Sequence, residues 1–417
     1  MSGHIDRHVS ASTSAMRVLI ATLTVGGGHL AAAAALEEAW RRLRPHDTIE
    51  RLDLMVFFSR LHRKLYSEGW VHIATMAPEL WGFVFDRTDD PRVTSRLRKT
   101  RGLLPSGSRA KFAQFIEKSK PDVVLCTHYL PVEVLGNLKS SPQTTRQPES
   151  TLSKVVRTER GTGRQKIRRR GPPVQPFVVS VVTDFEVHAV WMADGVDLYC
   201  VAAEESRVRL VARGAAPETV VATGIPVSLK FSTHPNPRAA RKLIGVRDDV
   251  PVLLVLSGGF GMGPVADVLR QLDKVRKPIQ SIVVCGRNEE LRRELAAEER
   301  SHPTHVLGFA SNMHELMAAS DLIITKPGGL TVSEALAMGR PLLIVNPIPG
   351  QESANSDFLL SHGAAIKVNC IEDIPGRVED LLGSRKLAAM RKAAAVLGRP
   401  NAAETICAEV LRRLGGE

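Results

Sequence analysis

Residues 17–43 read RVLIATLTVGGGHLAAAAALEEAWRRL. The opening RVLIATL is apolar without alternation, as in a strand covered on both faces of a parallel sheet. Gly26-Gly27-Gly28-His29 then breaks the run. An alanine-rich stretch with early Glu and late Arg follows and predicts a helix over 30–43. Strand, glycine turn and helix form the first unit of a doubly wound α/β sheet. The nearly uncharged run 18–36 has the length of a membrane span, but its central glycines and His29 favour the strand–turn–helix reading.

The same unit recurs outward from this start. Strands are predicted at 122–126 (DVVLC), 177–183 (FVVSVVT), 197–201 (DLYCV) and 219–222 (TVVA). Gly224, Pro226 and the polar STHPNPRAA then mark a domain boundary near 225–238. A second series has strands at 251–256, 281–285, 304–307, 321–325, 341–345 and 364–368, with helices at 264–273, 288–299, 311–319 and 330–338 between them. The expected organisation is two α/β domains, 1–228 and 229–400, and a terminal helix within 401–417. Residues 140–173 are polar and basic with almost no large apolar residue, and predict a surface loop.

The chain has 417 residues and a formal net charge of +12. Residues 92–120 hold nine Lys/Arg and one Glu, and 154–170 hold eight Lys/Arg and one Glu, so the rest of the chain is close to neutral. Two basic segments on a near-neutral globule suggest local contact with an anionic surface. They lack the interleaved aromatics and motifs of a nucleic-acid-binding protein, which is the less favoured reading. Seven of nineteen aromatics fall in 55–85: Phe57, Phe58, Tyr66, Trp70, Trp81, Phe83 and Phe85. Five widely spaced cysteines without a Cys-x-x-Cys suggest reduced thiols, and the polar N-terminus does not resemble a secretory signal.

Three glycine-rich loops carry the chemistry. SGGFGMGP (257–264), TKPGGLTVSEA (325–335) and NPIPGQESAN (346–355) each follow a predicted strand in the second domain. Glycines bring backbone N–H groups close to a phosphate, and a helix N-terminus adds partial positive charge. Glu334 falls one turn into its helix, where a carboxylate can accept both hydroxyls of a ribose or simply favour the helix dipole. Gln351 and Glu352 set an amide beside a carboxylate, a pairing suited to sugar hydroxyls. Loops at the C-terminal ends of strands in one sheet share one crevice.

These motifs, with GGGH (26–29), VVTDFEVHAVW (181–191) and TGIPV (223–227), resemble a lipid-directed branch of the glycosyltransferases. That family includes the processive diacylglycerol glucosyltransferases and the monogalactosyldiacylglycerol synthases, with the peptidoglycan lipid N-acetylglucosaminyltransferase more distant. The resemblance implies a GT-B fold: two Rossmann-like domains facing a central cleft. It implies a UDP-sugar donor on the C-terminal domain, a diacylglycerol acceptor on the N-terminal one, inversion at the anomeric carbon, and no cofactor or essential metal. By the same resemblance Phe309 meets the uracil through its backbone and Glu334 holds the ribose. Gly258, Gly259, Gly328, Gly329 and Thr331 line the diphosphate, and Gln351 and Glu352 read the sugar. His29 is the candidate general base, since an inverting transfer needs a group of near-neutral pKa to take a hydroxyl proton. His29 could also merely bond backbone at its helix start, and His188, near Asp184, is the rival. Lys326 and helix N-termini could offset the leaving diphosphate's charge.

On the acceptor side, residues 52–73 place Leu54, Phe57, Phe58, Leu61 and Leu65 at helical spacing, with Arg60, Arg63 and Lys64 on another face. Such a helix can pack on the sheet or lie on an anionic membrane with Trp70 and Trp81 near the headgroups. The expectation is a peripheral enzyme on the cytoplasmic face of a membrane. The alternatives are a lipid-linked peptidoglycan-precursor transferase, or a UDP-sugar epimerase, which has no need of the aromatic and basic stretch.

Overall fold

A computed structural model describes residues 14–24, 27–66, 77–100, 104–140, 175–258 and 263–415. Gly26, Gly259, Trp70 and almost all of the 140–173 loop lie outside the described residues.

Twelve strands form two parallel six-stranded sheets, an α/β architecture. The first contains β1 (Arg17–Thr22), β2 (Thr48–Asp53), β3 (Val123–Cys126), β4 (Phe177–Val181), β5 (Leu198–Val201) and β6 (Val220–Ala222), in the order β2-β1-β3-β4-β5-β6. The second contains β7 (Val252–Leu256), β8 (Gln280–Val284), β9 (Thr304–Leu307), β10 (Leu322–Thr325), β11 (Leu342–Ile344) and β12 (Ala365–Lys367), in the order β12-β11-β10-β7-β8-β9. The strand order reverses between β1 and β3 in one sheet and between β7 and β10 in the other, so each domain has its crevice there.

The central strands are mostly apolar and buried, because helices cover both faces of each sheet. An aspartate just before a strand fixes the register of its neighbour in both domains. Arg17 N donates to Asp122 Oδ2 at 2.7 Å, Val178 N to Asp197 Oδ2 at 2.7 Å and Val252 N to Asp321 Oδ2 at 2.9 Å. β2 (TIERLD) was not among the predicted strands. It pairs on only one side, with β1, so most of its residues face solvent and its sequence lacks an apolar run.

The domains are joined by a shared apolar cluster containing Ala32, Phe185, Ile225 and Val227 from the first and Leu254, Leu330, Leu336 and Leu359 from the second. The helix Ala402–Gly415 returns to the first domain. Its Ala403, Ile406, Cys407 and Val410 share a core with Val18, Ile20 and Trp40. Cys126, Cys200, Cys285 and Cys407 are buried free thiols, and Cys370 is exposed.

The single amphipathic helix expected over 52–73 is broken in the structure. β2 ends at Asp53, whose carboxylate caps a 3-10 turn at Leu54–Phe57. Ser59 then caps a short helix, Arg60–Lys64, and 67–76 lie outside the described residues.

Candidate active site

The segments following β1 and β4 meet those following β10 and β11. Gly28 opens the helix Gly28–Leu43 and packs against Leu330. A Cβ on Gly329, the first residue of the helix Gly329–Ala337, would overlap the Thr183 carbonyl oxygen. Asn355, wholly buried in the helix Gln351–Ser361, ties the junction. Its Nδ2 donates to Asp184 Oδ1 at 3.0 Å and to the Pro327 carbonyl at 3.1 Å, and its Oδ1 accepts from Phe185 N at 2.8 Å. Phe185 stacks on Phe358 with ring centres 4.5 Å apart.

His29 sits in this junction, half-buried. Its Nδ1 lies 2.8 Å from the Thr127 carbonyl oxygen and 3.1 Å from the Thr183 hydroxyl. Thr127 Oγ1 donates back to the His29 carbonyl at 3.1 Å. A carbonyl can only accept, so Nδ1 is assigned the proton and Nε2 the lone pair. Burial lowers His29 to about 4, with the bond to Thr127 working the other way. The ring is therefore neutral across ordinary pH with a lone pair on Nε2, but burial makes it a weaker base than the near-neutral group expected from the sequence.

His188, the rival, is committed elsewhere. Its Nε2 lies 2.9 Å from the Phe85 carbonyl, and its Nδ1 accepts from Val190 N at 3.1 Å, capping the turn Ala189–Trp191. With both nitrogens bonded to backbone, it holds the 184–191 segment to the helix Pro78–Thr88. Arg213 fastens the same corner: its Nη1 donates to Asp89 at 2.8 Å and to the Val187 carbonyl at 2.6 Å.

On the donor side, the Glu334 carboxyl group makes no hydrogen bond or ion pair among the described residues, and burial raises it to about 7. Gln351 Oε1 is shut off from solvent and likewise has no partner among them. Glu352 Oε2 accepts from Ile348 N at 2.8 Å. Burial pushes its carboxyl up, while the Ile348 N–H and the Lys326 charge act in the other direction. Gly258 has φ +77° with open space where a Cβ would stand, as a loop meant to meet a ligand by its backbone requires. Gly328 is open too, and Thr331 is partly exposed. Phe309 is 69% exposed in the loop after β9, with the Arg287 guanidinium 5.9 Å from its ring centre.

Gly329 is buried against Thr183, so its missing side chain serves the contact between domains as well as opening its helix. Two expectations are corrected by this geometry. Phe57 and Phe58 do not form an outer face: Phe58 is buried, and Phe57 packs on Phe112 and Phe115 in the first domain's core. Trp81 packs on Phe85, and its helix meets the donor loop, with Gly82 against Pro349 and Phe85 against Gly350. The apolar side chains that do face solvent in this stretch are Val56, Leu61, Leu65, Leu80, Phe83 and Val84, half of the twelve large ones exposed among the described residues. Arg60, Arg63 and Lys64 are exposed beside them in sequence, although Arg63 also donates to the Met55 carbonyl.

Asn355, Thr183 and His128 had no role from sequence. The first two lie inside quoted motifs, where spacing alone does not distinguish a ligand contact from a bond between domains. Among the described residues no helix is long and apolar enough to cross a membrane, and no three His, Cys, Asp or Glu side chains gather as a metal site.

Comparison with known proteins agrees with this arrangement. The family described as monogalactosyldiacylglycerol (MGDG) synthase matches residues 29–152 and 164–227. The glycosyltransferase family 28 C-terminal domain matches 254–406. A processive diacylglycerol beta-glucosyltransferase of Bacillus subtilis is 29% identical over 403 residues, covering 95% of each chain. Its counterpart from Bacillus pumilus is 34% identical over 237 residues, which span 56% of this chain and 62% of that protein. Among solved structures, MurG of Acinetobacter baumannii has a TM-score of 0.53 at 16% identity, covering 95% of this chain and 99% of its own. HepE of Anabaena, in complex with UDP-glucose, has a TM-score of 0.52 at 13% identity, covering 95% and 100%. At such identities the likeness is one of fold, the two-domain GT-B architecture.

Proposed function

The chain belongs to the family of the monogalactosyldiacylglycerol synthases and processive diacylglycerol glucosyltransferases, and on that premise we propose that it moves a hexose from a UDP-sugar to diacylglycerol at a membrane surface. The observation that carries the reading is the pairing of two unsatisfied groups across the junction. His29 offers a neutral Nε2 on one side, and Glu334 offers a carboxylate without a partner among the described residues on the other.

The lipid hydroxyl oxygen attacks the anomeric carbon as the bond from that carbon to the phosphate oxygen breaks. The hydroxyl proton passes to His29 Nε2, and UDP leaves with the electron pair. Attack opposite the leaving group inverts the anomeric centre. Glu334 takes the ribose hydroxyls, while Gln351 and Glu352 take those of the hexose. Gly258, Gly328, Thr331, Lys326 and the N-terminus of the helix Gly329–Ala337 offset the charge that develops on the diphosphate. On this reading the transfer runs without a cofactor or added metal, and assays with and without EDTA test that point.

The exposed Leu61, Leu65, Leu80, Phe83 and Val84, near exposed basic residues, fit a domain that rests on an anionic bilayer to reach its acceptor. The test is incubation with labelled UDP-glucose or UDP-galactose and diacylglycerol in anionic vesicles, followed by lipid chromatography. A labelled glycolipid from either donor is expected; none from both would sink the reading.

A further inference from the structure

His128 follows β3 and lies beside His29, with the two rings edge to face and their centres 4.8 Å apart. It is only 4% exposed. Leu130 N donates to its Nδ1 at 3.2 Å, so Nδ1 is the acceptor and the proton is assigned to Nε2. That Nε2–H has no hydrogen-bond partner among the described residues. Burial and the neighbouring His29 hold His128 well below its ordinary value, so it does not become an imidazolium. The ring is also held in place. It stacks on Tyr129 at 4.2 Å, and the adjacent Thr127 bonds His29 through both its carbonyl and its hydroxyl. An N–H held in a fixed ring and met by no group of the described residues is free to meet a ligand.

We propose that His128 Nε2–H is a substrate contact: it donates a hydrogen bond to the oxygen of the acceptor hydroxyl whose proton His29 removes. This rests on the functional reading above and deepens its acceptor side. A hydroxyl oxygen has two lone pairs and one proton. Accepting from His128 uses one pair, giving its proton to His29 Nε2 fixes the O–H direction, and the remaining pair points at the anomeric carbon. Two neutral imidazoles of opposite tautomer, one a donor and one an acceptor, thus orient a single hydroxyl. Water in the same place would be held less well, because it lacks the lipid's other contacts.

Two substitutions separate this role from folding. His128→Asn keeps an acceptor near the Nδ1 position for the Leu130 amide and removes the outer N–H. His128→Gln carries an amide N–H out to the Nε2 position. Transfer to diacylglycerol in vesicles, hydrolysis of the same UDP-hexose without lipid, UDP binding by calorimetry and thermal unfolding are measured for both and for the wild type. The expected result is that His128→Asn unfolds and binds UDP as the wild type does, while hydrolysis, which uses water in the same place, falls with transfer. At subsaturating lipid its transfer falls on the order of 10- to 100-fold, the loss of one hydrogen bond, and His128→Gln recovers part of it. Wild-type transfer by His128→Asn would overturn the inference, as would equal loss of transfer in both variants. Failure of the wild-type enzyme to transfer from any UDP-hexose is a different outcome and would sink the functional reading itself.

Discussion

Gly329 and Thr183 meet backbone to backbone, so that any side chain on Gly329 would overlap the Thr183 carbonyl oxygen. Thr183 also places its hydroxyl 3.1 Å from His29 Nδ1, and Gly329 begins the helix that carries Glu334. The contact therefore fixes the candidate base relative to the candidate ribose ligand. Gly329→Ala should force the two segments apart, costing about 1–3 kcal/mol of stability and most of the transfer activity. Gly328 has an ordinary extended conformation and open space around it, so Gly328→Ala should unfold at nearly the wild-type temperature. Thermal unfolding and turnover of the pair check this, and equal behaviour of the two variants would contradict it.

Donor binding should depend on pH through Glu334. Burial raises its carboxyl to about 7, so in the free protein it is half protonated near neutrality. Only the ionised form accepts from two ribose hydroxyls, so UDP must bind more weakly as pH falls below about 7. The limiting slope is about tenfold per pH unit, since binding must first release the proton. Above that pH the affinity should level off. Glu334→Gln should bind weakly at every pH, with this dependence gone. Calorimetric titration of UDP from pH 5.5 to 8.5 reads both. His29 contributes nothing to such a slope, because its lowered pKa of about 4 keeps it neutral over the whole range.

Vesicle binding should depend on the exposed apolar residues of the first domain, Phe83 among them, and not on the buried Phe58. Leu61→Ser with Phe83→Ser should weaken co-sedimentation with anionic vesicles several-fold while leaving UDP affinity unchanged. Phe58→Ser should instead lower the unfolding temperature, because Phe58 belongs to the core beside Phe112 and Leu104. A double variant that sediments like the wild type would refute the docking face.

The parallel sheets were legible in the sequence because strands such as VLLVL and FVVSV are buried on both faces, which forces an unbroken apolar run. The glycine loops were legible because only glycine meets their backbone requirement at positions such as Gly258. β2 escaped because an edge strand needs no such run. The 52–73 segment was misread because Phe57 and Phe58, at helical spacing with Leu54, Leu61 and Leu65, are carried into the core by a capped turn rather than a continuous helix. The sequence put His29 ahead of its rival His188 by family resemblance alone. What ranks them is which ring nitrogen is left unbonded, and the Thr127 carbonyl that decides it for His29 lies 98 residues away.

The most direct test of the central claim compares wild type with His29→Ala in the vesicle assay, with labelled UDP-hexose and diacylglycerol, alongside UDP binding measured separately. The account predicts labelled glycolipid from the wild type, a loss on the order of 10²- to 10⁴-fold for His29→Ala, and unchanged UDP affinity. Near-normal transfer by His29→Ala would contradict it.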